Sequence, residues 1–546
     1  MLSILIWLPL AGALLGALAG GRVAGRVALV GALGSLGLAI ALIAGYDGHT
    51  GQLQHVTDVV WIASLGIHYK LGVDGLNVFL VGLATLLFAG TLLAANLRSW
   101  EKPQLFYFHI GLAESAVLGA FLAQDLALFV AFFDLMLIPF YFLTGVWGGA
   151  DRVRATTKLV IYTLVGSLLM LAGAIATAVL TAHDSGHALS FVFSDLRSAP
   201  LPGSTQDWIF LLFAAAFLVK MPAFPLHGWM PDGYRAMPIE VLMVFSGVLS
   251  KVGAYGFLRI VLPLFPGASA HFQTLLLVIG LASILYGSAM AFTQTNARLI
   301  AGYSSVAQLG FITIGIFSLT PQGAQGAVLQ MVNHGLVVAP LFFIIALLSA
   351  RAGGSEDLRE MGGIAMRAPV LATLFLIVAL ATLAIPGSGN FAGEFLILLG
   401  VFTSKIVFGI VAFAGVVMAA VYSLRMYIRA MHNRPGPDVE SREMRLVDGL
   451  VLAPFIAVIV LFALYPQLEL HRAEKSVTAT VAAAQAIAHG APQVAGGAPA
   501  PVAVAQRAAT NIRRSVGGWV TSSSGAPVAA YDGVQAAANK VTVTYK

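Results

Sequence analysis

Apolar residues run through the chain in long blocks, and short polar stretches separate the blocks from about residue 2 to residue 466. Most blocks reach about 20 residues, which is the length that an α-helix needs to cross the roughly 30 Å hydrocarbon layer of a membrane. The pattern therefore predicts an all-α polytopic membrane protein with about fourteen transmembrane helices, numbered below as spans 1 to 14.

Composition agrees with a membrane setting, since 59% of the 546 residues are hydrophobic, 10% are charged and the mean hydropathy is +0.89. The sequence contains no cysteine, which excludes disulfides, thiolate zinc sites and cysteine-ligated iron–sulfur clusters. It also lacks a glycine-rich dinucleotide fingerprint between a strand and a helix. We therefore expect no cofactor and no metal on this chain, and the net charge of +6 fits basic loops rather than a nucleic-acid partner.

Lysine and arginine concentrate in alternate loops, as expected where successive loops change side and cytoplasmic loops collect cations. Loops after odd-numbered spans, with their flanks, carry Arg22, Arg26, Arg98, Lys102, Arg152, Arg154, Lys158, Arg235, Arg298, Arg351, Arg359, Arg367, Arg429, Arg434, Arg442 and Arg445. Loops after even-numbered spans carry Lys70, Arg197, Arg259 and Lys405. This bias predicts cytoplasmic odd loops and both termini on the other side. The alanine- and glycine-rich composition is compatible with a bacterium of high genomic G+C, so we expect a bacterial plasma membrane protein. Residues 1–20 lack a basic leader, so they are predicted to be a retained span.

Two of the apolar segments are broken. The segment 208–230 contains Pro222 and Pro225, and the segment 368–402 contains Ile-Pro-Gly-Ser-Gly at 385–389. The loop charges keep alternating only if 368–402 is a single crossing, which makes the two segments spans 7 and 12. Interrupted helices at matching places in two halves are typical of transporters with inverted-topology repeats. Spans 4–8 and 9–13 are therefore predicted to form two five-helix repeats.

These repeats set the expected domain boundaries. They are 1–104 for helices 1 to 3, 105–265 for the first repeat, 266–430 for the second repeat, 431–470 for a loop with helix 14, and 471–546 for an alanine-rich C-terminal tail. The tail is predicted to lie outside the cytoplasm and to be either amphipathic or disordered.

Three ionisable side chains lie inside or beside apolar segments. Lys220 ends an apolar run at the first break, Glu394 follows the second break, and Lys251 lies midway in the predicted span 239–262. A cation near the centre of a bilayer costs at least ~2.5 kcal/mol and is rarely kept without a function. A buried lysine whose counter-charge moves can load and release a proton. The alternatives are snorkelling to the interface for Lys220 and Glu394 and a static ion pair for Lys251.

Further polar residues could extend this set. Asp134, in the middle of span 5, is the expected partner of Lys220. Glu114, in span 4, could be a second carboxylate on the same route or could make a packing hydrogen bond. His334, in span 11, can relay protons near neutral pH, and the alternative is a packing role. Asp125, between two spans, is predicted to cap span 5.

Specific motifs occur between Glu114 and Tyr427. They lie at 125–143, 147–149, 158–163, 220–232, 247–259, 298–305, 331–335 and 391–398. In these motifs the chain resembles the antiporter-like membrane subunits of proton-pumping NADH:quinone oxidoreductase, which is respiratory complex I, most closely those of the subunit M type. The resemblance does not cover the C-terminal tail.

The resemblance implies a proton relay in which Asp134 pairs with Lys220, and Lys251 with His334 passes the proton towards Glu394. It implies a translocase subunit without a redox site of its own, driven by quinone reduction elsewhere in the complex. FMN, iron–sulfur clusters and quinone are then expected in partner subunits. The expected partners are subunit L-like and N-like antiporter-like subunits, small membrane subunits, lipids and protons, and no nucleic acid.

The chain departs from the family pattern at three places. The family usually has glutamate where this chain has Asp134, often has histidine where it has Gln308, which cannot titrate, and has Ala-Pro-Thr where it has Met237-Pro238-Ile239. Two other functions stay open from the sequence. One is a subunit of a multi-subunit cation/proton antiporter or membrane-bound hydrogenase, and the other is a structural membrane anchor whose buried charges only hold helices together.

Overall fold

Helices carry most of the fold. The computed structural model describes residues 1–21 and 23–490, so Arg22 and the predicted tail from 491 to 546 lie outside the described residues. The helices are α1 (Leu2–Ala19), α2 (Ala24–Gly45), α3 (Val78–Ala95), α4 (Pro103–Leu122), α5 (Leu126–Leu135), α6 (Leu137–Trp147), α7 (Arg152–Ser185), α8 (Phe193–Ser198), α9 (Gly203–Lys220), α10 (Met230–Ala236), α11 (Ile239–Val244), α12 (Ser250–Gly256), α13 (Leu262–Leu264), α14 (Pro266–His271), α15 (Gln273–Thr293), α16 (Ala297–Phe317), α17 (Pro321–Ser349), α18 (Pro369–Thr382), α19 (Gly389–Ser404), α20 (Ile406–Met431), α21 (Leu446–Leu464) and α22 (Gln467–Ala488).

Twelve helices in the described part of the chain are long and apolar enough to cross a membrane, with α5 and α6 counted together and α11 to α13 counted together. The two predicted spans outside this set are spans 7 and 12. In their place stand two pairs of helices, α9 with α10 around residues 221–229, and α18 with α19 around residues 383–388. The predicted helical membrane fold with two broken spans is therefore confirmed.

Burial separates an interior from a rim. The most apolar stretches of Ile239–Leu264 and Ala297–Phe317 are 100% buried, whereas that of Ile406–Met431 is 33% buried. An apolar helix that stays exposed on one side is suited to lipid contact, and one that is buried on all sides is packed by other helices. The interior helices are the ones that carry Lys251 and Gln308.

Two further helices are interrupted in places that the sequence pattern did not predict. Between α11 and α13 the chain makes π-helical turns at Phe245–Leu249 and Phe257–Val261, one on each side of α12. Span 5 divides at Met136 into α5 and α6. Single π-helical turns are frequent at functional sites because they rotate the side chains that follow them.

A β-hairpin outside the spans was also not predicted. Strands β1 (Gln54–Ile62) and β2 (Ile67–Val73) pair antiparallel, with Asp58 opposite Lys70. The Lys70 Nζ lies 2.9 Å from an Asp58 carboxylate oxygen across the pair. Cross-strand pairs of opposite charge stabilise such hairpins.

The described part of the predicted tail forms helix α22. Its buried residues Ala473, Val477, Val481 and Ala484 recur every three or four positions, which makes one face apolar. That face packs on α17 and on the short helices α13 and α14.

Candidate functional site

The first break fixes Lys220 at the end of α9. Helix α9 stops there because Pro222 disfavours a helical conformation at Met221. The last carbonyls of a helix lack intrahelical donors and need partners. The indole Nε1 of Trp229 supplies one by donating to the Val219 oxygen at 3.0 Å. The break is therefore an ordered turn inside the protein.

Lys220 and Asp134 lie near enough for the charge of each to act on the other. The Lys220 side chain is 5% exposed, and its Nζ lies 4.5 Å from the centre of the Phe133 ring. Asp134 follows Phe133, its charge acts on Lys220, and the Ser167 hydroxyl lies beside it. Among the described residues, Lys220 and Asp134 form no ion pair within 4.0 Å. The aspartate thus influences the lysine across a gap, in keeping with its short arm.

A narrow cavity lies between Lys220 and the helix that carries Lys251. It has room for about one water molecule. Its wall consists of Thr163, Lys220, Pro222, Trp229, Tyr234, Phe245, Leu249 and Ser250. Because Ser250 precedes Lys251, a water in this cavity would have polar partners on both sides.

Lys251 lies in the interior with backbone and hydroxyl partners only. Its side chain is 0% exposed. The Nζ donates to the Ser246 carbonyl oxygen at 2.8 Å and to Ser250 Oγ at 3.4 Å. The π-helical turn that contains Ser246 makes this carbonyl available, because a helix that widens locally disturbs its ladder of hydrogen bonds. No carboxylate pairs with Lys251 in the described part of the chain, so the predicted alternative of a static ion pair finds no partner here.

His334 lies close to Lys251, since the charge of the lysine acts on its imidazole. The histidine is 2% exposed, and its Nδ1 has no hydrogen-bond partner among the described residues. Two glycines allow this approach of α17 to the π-helical turn. A Cβ on Gly335 would lie 2.7 Å from the Gly247 carbonyl oxygen, which is closer than real Cβ atoms come.

The second break places Glu394 among amides. Ser388 caps α19 by accepting a hydrogen bond from the Phe391 N–H at 3.2 Å. One and a half turns further on, Glu394 is 3% exposed, and its Oε1 accepts from Gln308 Nε2 at 2.8 Å. Gln330 Nε2 in turn donates to Gln308 Oε1 at 2.7 Å. Three side chains from α19, α16 and α17 therefore form one hydrogen-bonded chain.

The remaining predicted residues have different surroundings. Glu114 is 0% exposed, and neither of its carboxylate oxygens has a hydrogen-bond partner among the described residues. The structure does not join it to Asp134 by a hydrogen bond. Asp125 caps α5 by accepting from the Leu128 N–H at 3.0 Å, so that prediction is confirmed.

A buried ion pair beyond Lys251 was missed in the sequence. Arg259, two turns further along the same span, donates to both Asp74 carboxylate oxygens, at 2.7 and 2.6 Å. Its Nε donates to the Tyr255 hydroxyl at 2.8 Å. The loop-charge pattern counts Arg259 as a cation of an even-numbered loop, whereas the structure places it inside the helical segment that follows Lys251. Its position eight residues after Lys251, within the same predicted span, was the available signal.

Together these residues form a series of buried ionisable groups separated by hydroxyls, amides and one small cavity. Such residues can hold charge inside the protein, and the lysine, histidine, aspartate and glutamate side chains among them can each bind or release a proton. Among residues 1–21 and 23–490, no group of three or more His, Cys, Asp or Glu side chains is placed to hold a metal ion.

The class of the protein follows from this fold and from comparison with known families. Residues 123–420 match the family described as NADH:quinone oxidoreductase/Mrp antiporter, transmembrane. The chain is thus an antiporter-like membrane protein. It is 34% identical to NADH-quinone oxidoreductase subunit M of Rhodobacter capsulatus, over 86% of this chain and 94% of the relative. It is 39% identical to subunit M of Escherichia coli K12, over 76% of this chain and 83% of the relative. The chain belongs to the NADH-quinone oxidoreductase subunit M family, as its motifs predicted.

Solved structures agree with this assignment. A chain of respiratory complex I from Thermus thermophilus aligns with a TM-score of 0.81 at 29% identity, covering 88% of this chain and 100% of that chain. A chain of the Mrp complex from Dietzia aligns with a TM-score of 0.78 at 21% identity, covering 90% of this chain and 99% of that chain. The second likeness concerns the fold alone.

Proposed function

We propose that this chain translocates protons across the membrane as a membrane-arm subunit of NADH:quinone oxidoreductase. The observation that carries the proposal is the fully buried Lys251, whose ammonium has only a carbonyl and a hydroxyl as partners. A lysine in that setting is costly to keep charged, so it can give up its proton when a neighbouring charge changes.

The proposed route begins at the first break. When Asp134 attracts the Lys220 ammonium, Lys220 keeps its proton, and when that attraction weakens, the proton can leave. The cavity beside Ser250 supports a step from Lys220 to Lys251. His334 takes the proton from the region of Lys251, and Glu394 receives it at the second break.

The energy for this movement is proposed to come from quinone reduction in partner subunits, which hold the FMN, the iron–sulfur clusters and the quinone. The partners proposed in the membrane arm are subunit L-like and N-like proteins and small membrane subunits. The proposed location is the bacterial plasma membrane, because the relatives from Rhodobacter capsulatus and Escherichia coli are bacterial proteins. The loop charges support both termini on the non-cytoplasmic side.

The test is Lys251→Met in the assembled complex. We expect NADH-driven proton pumping in membrane vesicles to fall by about a hundredfold or more, the lower end of the range for loss of an acid–base group, while assembly on native gels is kept. Lys405→Met is the matched control, because Lys405 is an exposed lysine between α19 and α20. Full assembly with unchanged pumping would overturn the relay. Lost assembly with normal pumping per assembled complex would favour the structural anchor.

A further inference from the structure

The hydrogen-bonded chain at the second break has a direction. Gln330 donates to Gln308, and Gln308 donates to Glu394. An amide has donors on one end and an acceptor on the other, whereas an ionised carboxylate only accepts. The ionised form of Glu394 therefore dictates which way both amides point. This orientation leaves Gln330 Oε1 buried without a partner among the described residues.

We propose that Gln308 and Gln330 are positioning residues that form a two-state hydrogen-bond switch, set by the protonation of Glu394. This inference rests on the proposed proton translocation. When Glu394 gains a proton, its O–H becomes a donor and needs an acceptor, so the Gln308 amide turns its Oε1 towards it. Gln308 Nε2 then donates to Gln330 Oε1, the atom that lacks a partner in the other state. Two hydrogen bonds exist before the change and two after it, and no proton passes through the amides.

Glycine at position 393 lets the Gln330 amide lie directly against α19. A Cβ on Gly393 would lie 2.4 Å from Gln330 Oε1, so any larger residue there would press on the end of the amide that the switch uses. After the turn, Gln330 Nε2 takes the place of its oxygen. The Asn390 side chain, three residues before Gly393, has a buried oxygen without a partner among the described residues.

The switch connects Glu394 to the face of α17 that carries His334. Gln330 and His334 are four residues apart, so their side chains lie on the same side of the helix. A change at Gln330 alters the polar surroundings of the histidine that is proposed to deliver the proton. Thus Glu394, once protonated, can signal to the delivering side that it is occupied.

Few other ionisable groups face Glu394. Helix α16 presents Gln308 and α17 presents Gln330 with His334 one turn beyond, while Tyr422 on α20 is close enough for the Glu394 charge to act on it. Helix α18 contains no ionisable residue, and α21 contains only Asp448, which Arg445 holds at 2.7 Å. Gln308 is therefore the direct hydrogen-bonding partner of the carboxyl group, and Gln330 acts on it through Gln308.

The experiment compares Gln308→Met, Gln330→Met and Gln308→His in the assembled complex in proteoliposomes. Pumping per NADH oxidised is measured against pH, and infrared difference spectra follow the carbonyl band of protonated Glu394, assigned with Glu394→Gln. In Gln308→Met the carboxylate loses its donor, so the pH profile and the infrared titration should both move up by about one pH unit, about tenfold in proton binding. Gln330→Met should move them in the same direction by less.

Gln308→His should restore the parent profile at least in part, because an imidazole can donate to Glu394 and accept from Gln330. The matched control is Gln273→Met, since Gln273 is a buried glutamine that donates to the Phe317 carbonyl at 3.0 Å, away from Glu394. An unchanged infrared titration in Gln308→Met would overturn the switch. If Gln308→Met does not assemble, Gln330→Met and Gln308→His provide the same test. The infrared titration of Glu394 does not depend on pumping. An unchanged titration would therefore count against the switch alone, whereas unchanged pumping in Lys251→Met would count against the proposed function.

Discussion

The two breaks hold opposite charges in opposite ways. At the first break, the Lys220 ammonium faces the Phe133 ring, and among the described residues it has no ion pair with Asp134 within 4.0 Å. At the second break, the Glu394 carboxylate accepts a 2.8 Å hydrogen bond from Gln308, which is itself held by Gln330. The charge state of Lys220 thus depends on charges that do not touch it, whereas the charge state of Glu394 depends on direct hydrogen bonds.

This difference suggests a division of work. A buried charge without hydrogen bonds responds strongly to other charges, because the low dielectric carries their influence over several ångströms. A carboxylate in a directed amide chain responds mainly to its own protonation. The first break is thus suited to receive an electrostatic signal from neighbouring subunits, and the second is suited to register whether a proton has arrived.

The backbones of the breaks differ as well. Within 383–388, Ala384 has a φ of 55° and Gly387 a φ of 95°. Within 221–229 no residue has a positive φ. A non-glycine residue in the left-handed region costs about 1 kcal/mol or more. The strain of a non-glycine residue in the left-handed region is therefore found at the second break and not at the first.

The largest expected effect is at the first break, where two variants test whether Lys220 transfers a proton or acts only as a positive charge. Lys220→Met should lower pumping by about a hundredfold or more. Lys220→Arg keeps the positive charge but cannot release a proton in proteins, so it should lose pumping to a similar extent. Both variants are measured in vesicles with assembly checked on native gels. An arginine variant that pumps like the parent would show that Lys220 acts only as a fixed charge, and the contrast between the breaks would then lie in charge alone.

Gly393→Ala should produce the next largest effect, at the second break. The new Cβ would meet Gln330 Oε1 at 2.4 Å, so the amide must move or the helices must separate. Such overpacking costs about 1–3 kcal/mol, which thermal unfolding of the purified complex can detect. Gly37→Ala is the control, because nothing lies within 4 Å of a Cβ at Gly37 in α2. Equal stability of both variants would contradict the close approach of α17 and α19.

The long spans and both breaks were predictable from the sequence, since composition and proline or glycine placement determine them. The loop charges were decisive for span 12, because only a single crossing of 368–402 keeps the cations on alternate sides. The π-helical turns around Lys251 could not be predicted. A π-helical turn adds one residue to a helix, which is visible in the sequence only when polar residues mark one face. This helix is apolar on all sides, so its pattern of apolar positions does not change.

The candidate site was predictable in its ionisable residues and not in its connections. Lys220, Lys251 and Glu394 were recognisable because a charge in an apolar block is rare. Gln308 appeared only as a departure that cannot titrate, yet the structure shows that it is the direct partner of Glu394. Asp74 and Arg259 were missed as a pair because they are far apart in the chain and each lies near the end of a span.

A smaller effect would test the strain at the second break. Ala384→Gly removes the clash of a Cβ in the left-handed region, so it should stabilise the complex by about 1 kcal/mol at most. Ala223→Gly, in the first break, should instead destabilise by about 1–2 kcal/mol, because glycine adds freedom to the unfolded chain and the buried Ala223 methyl group is lost. Thermal unfolding under identical conditions gives both values. The same sign for both would mean that the backbones of the breaks do not differ in strain.

Asp134→Glu should have the smallest effect. It should give the buried charge at the first break a direct partner, as the charge at the second break already has. The added methylene lets the carboxylate reach towards Lys220, so an ion pair can form where the parent has a gap. A closer carboxylate holds the lysine proton more firmly. Pumping should therefore stay within about twofold of the parent, while the upper limit of the pH range in which pumping occurs moves up by about half a unit, within the range of ordinary environmental shifts.

Glu114→Gln serves as the comparison, because Glu114 makes no hydrogen bond among the described residues and should not move that limit. If Asp134→Glu leaves the pH profile unchanged and Glu114→Gln shifts it, the carboxylate that governs Lys220 is Glu114, and the aspartate at the first break has only a packing role.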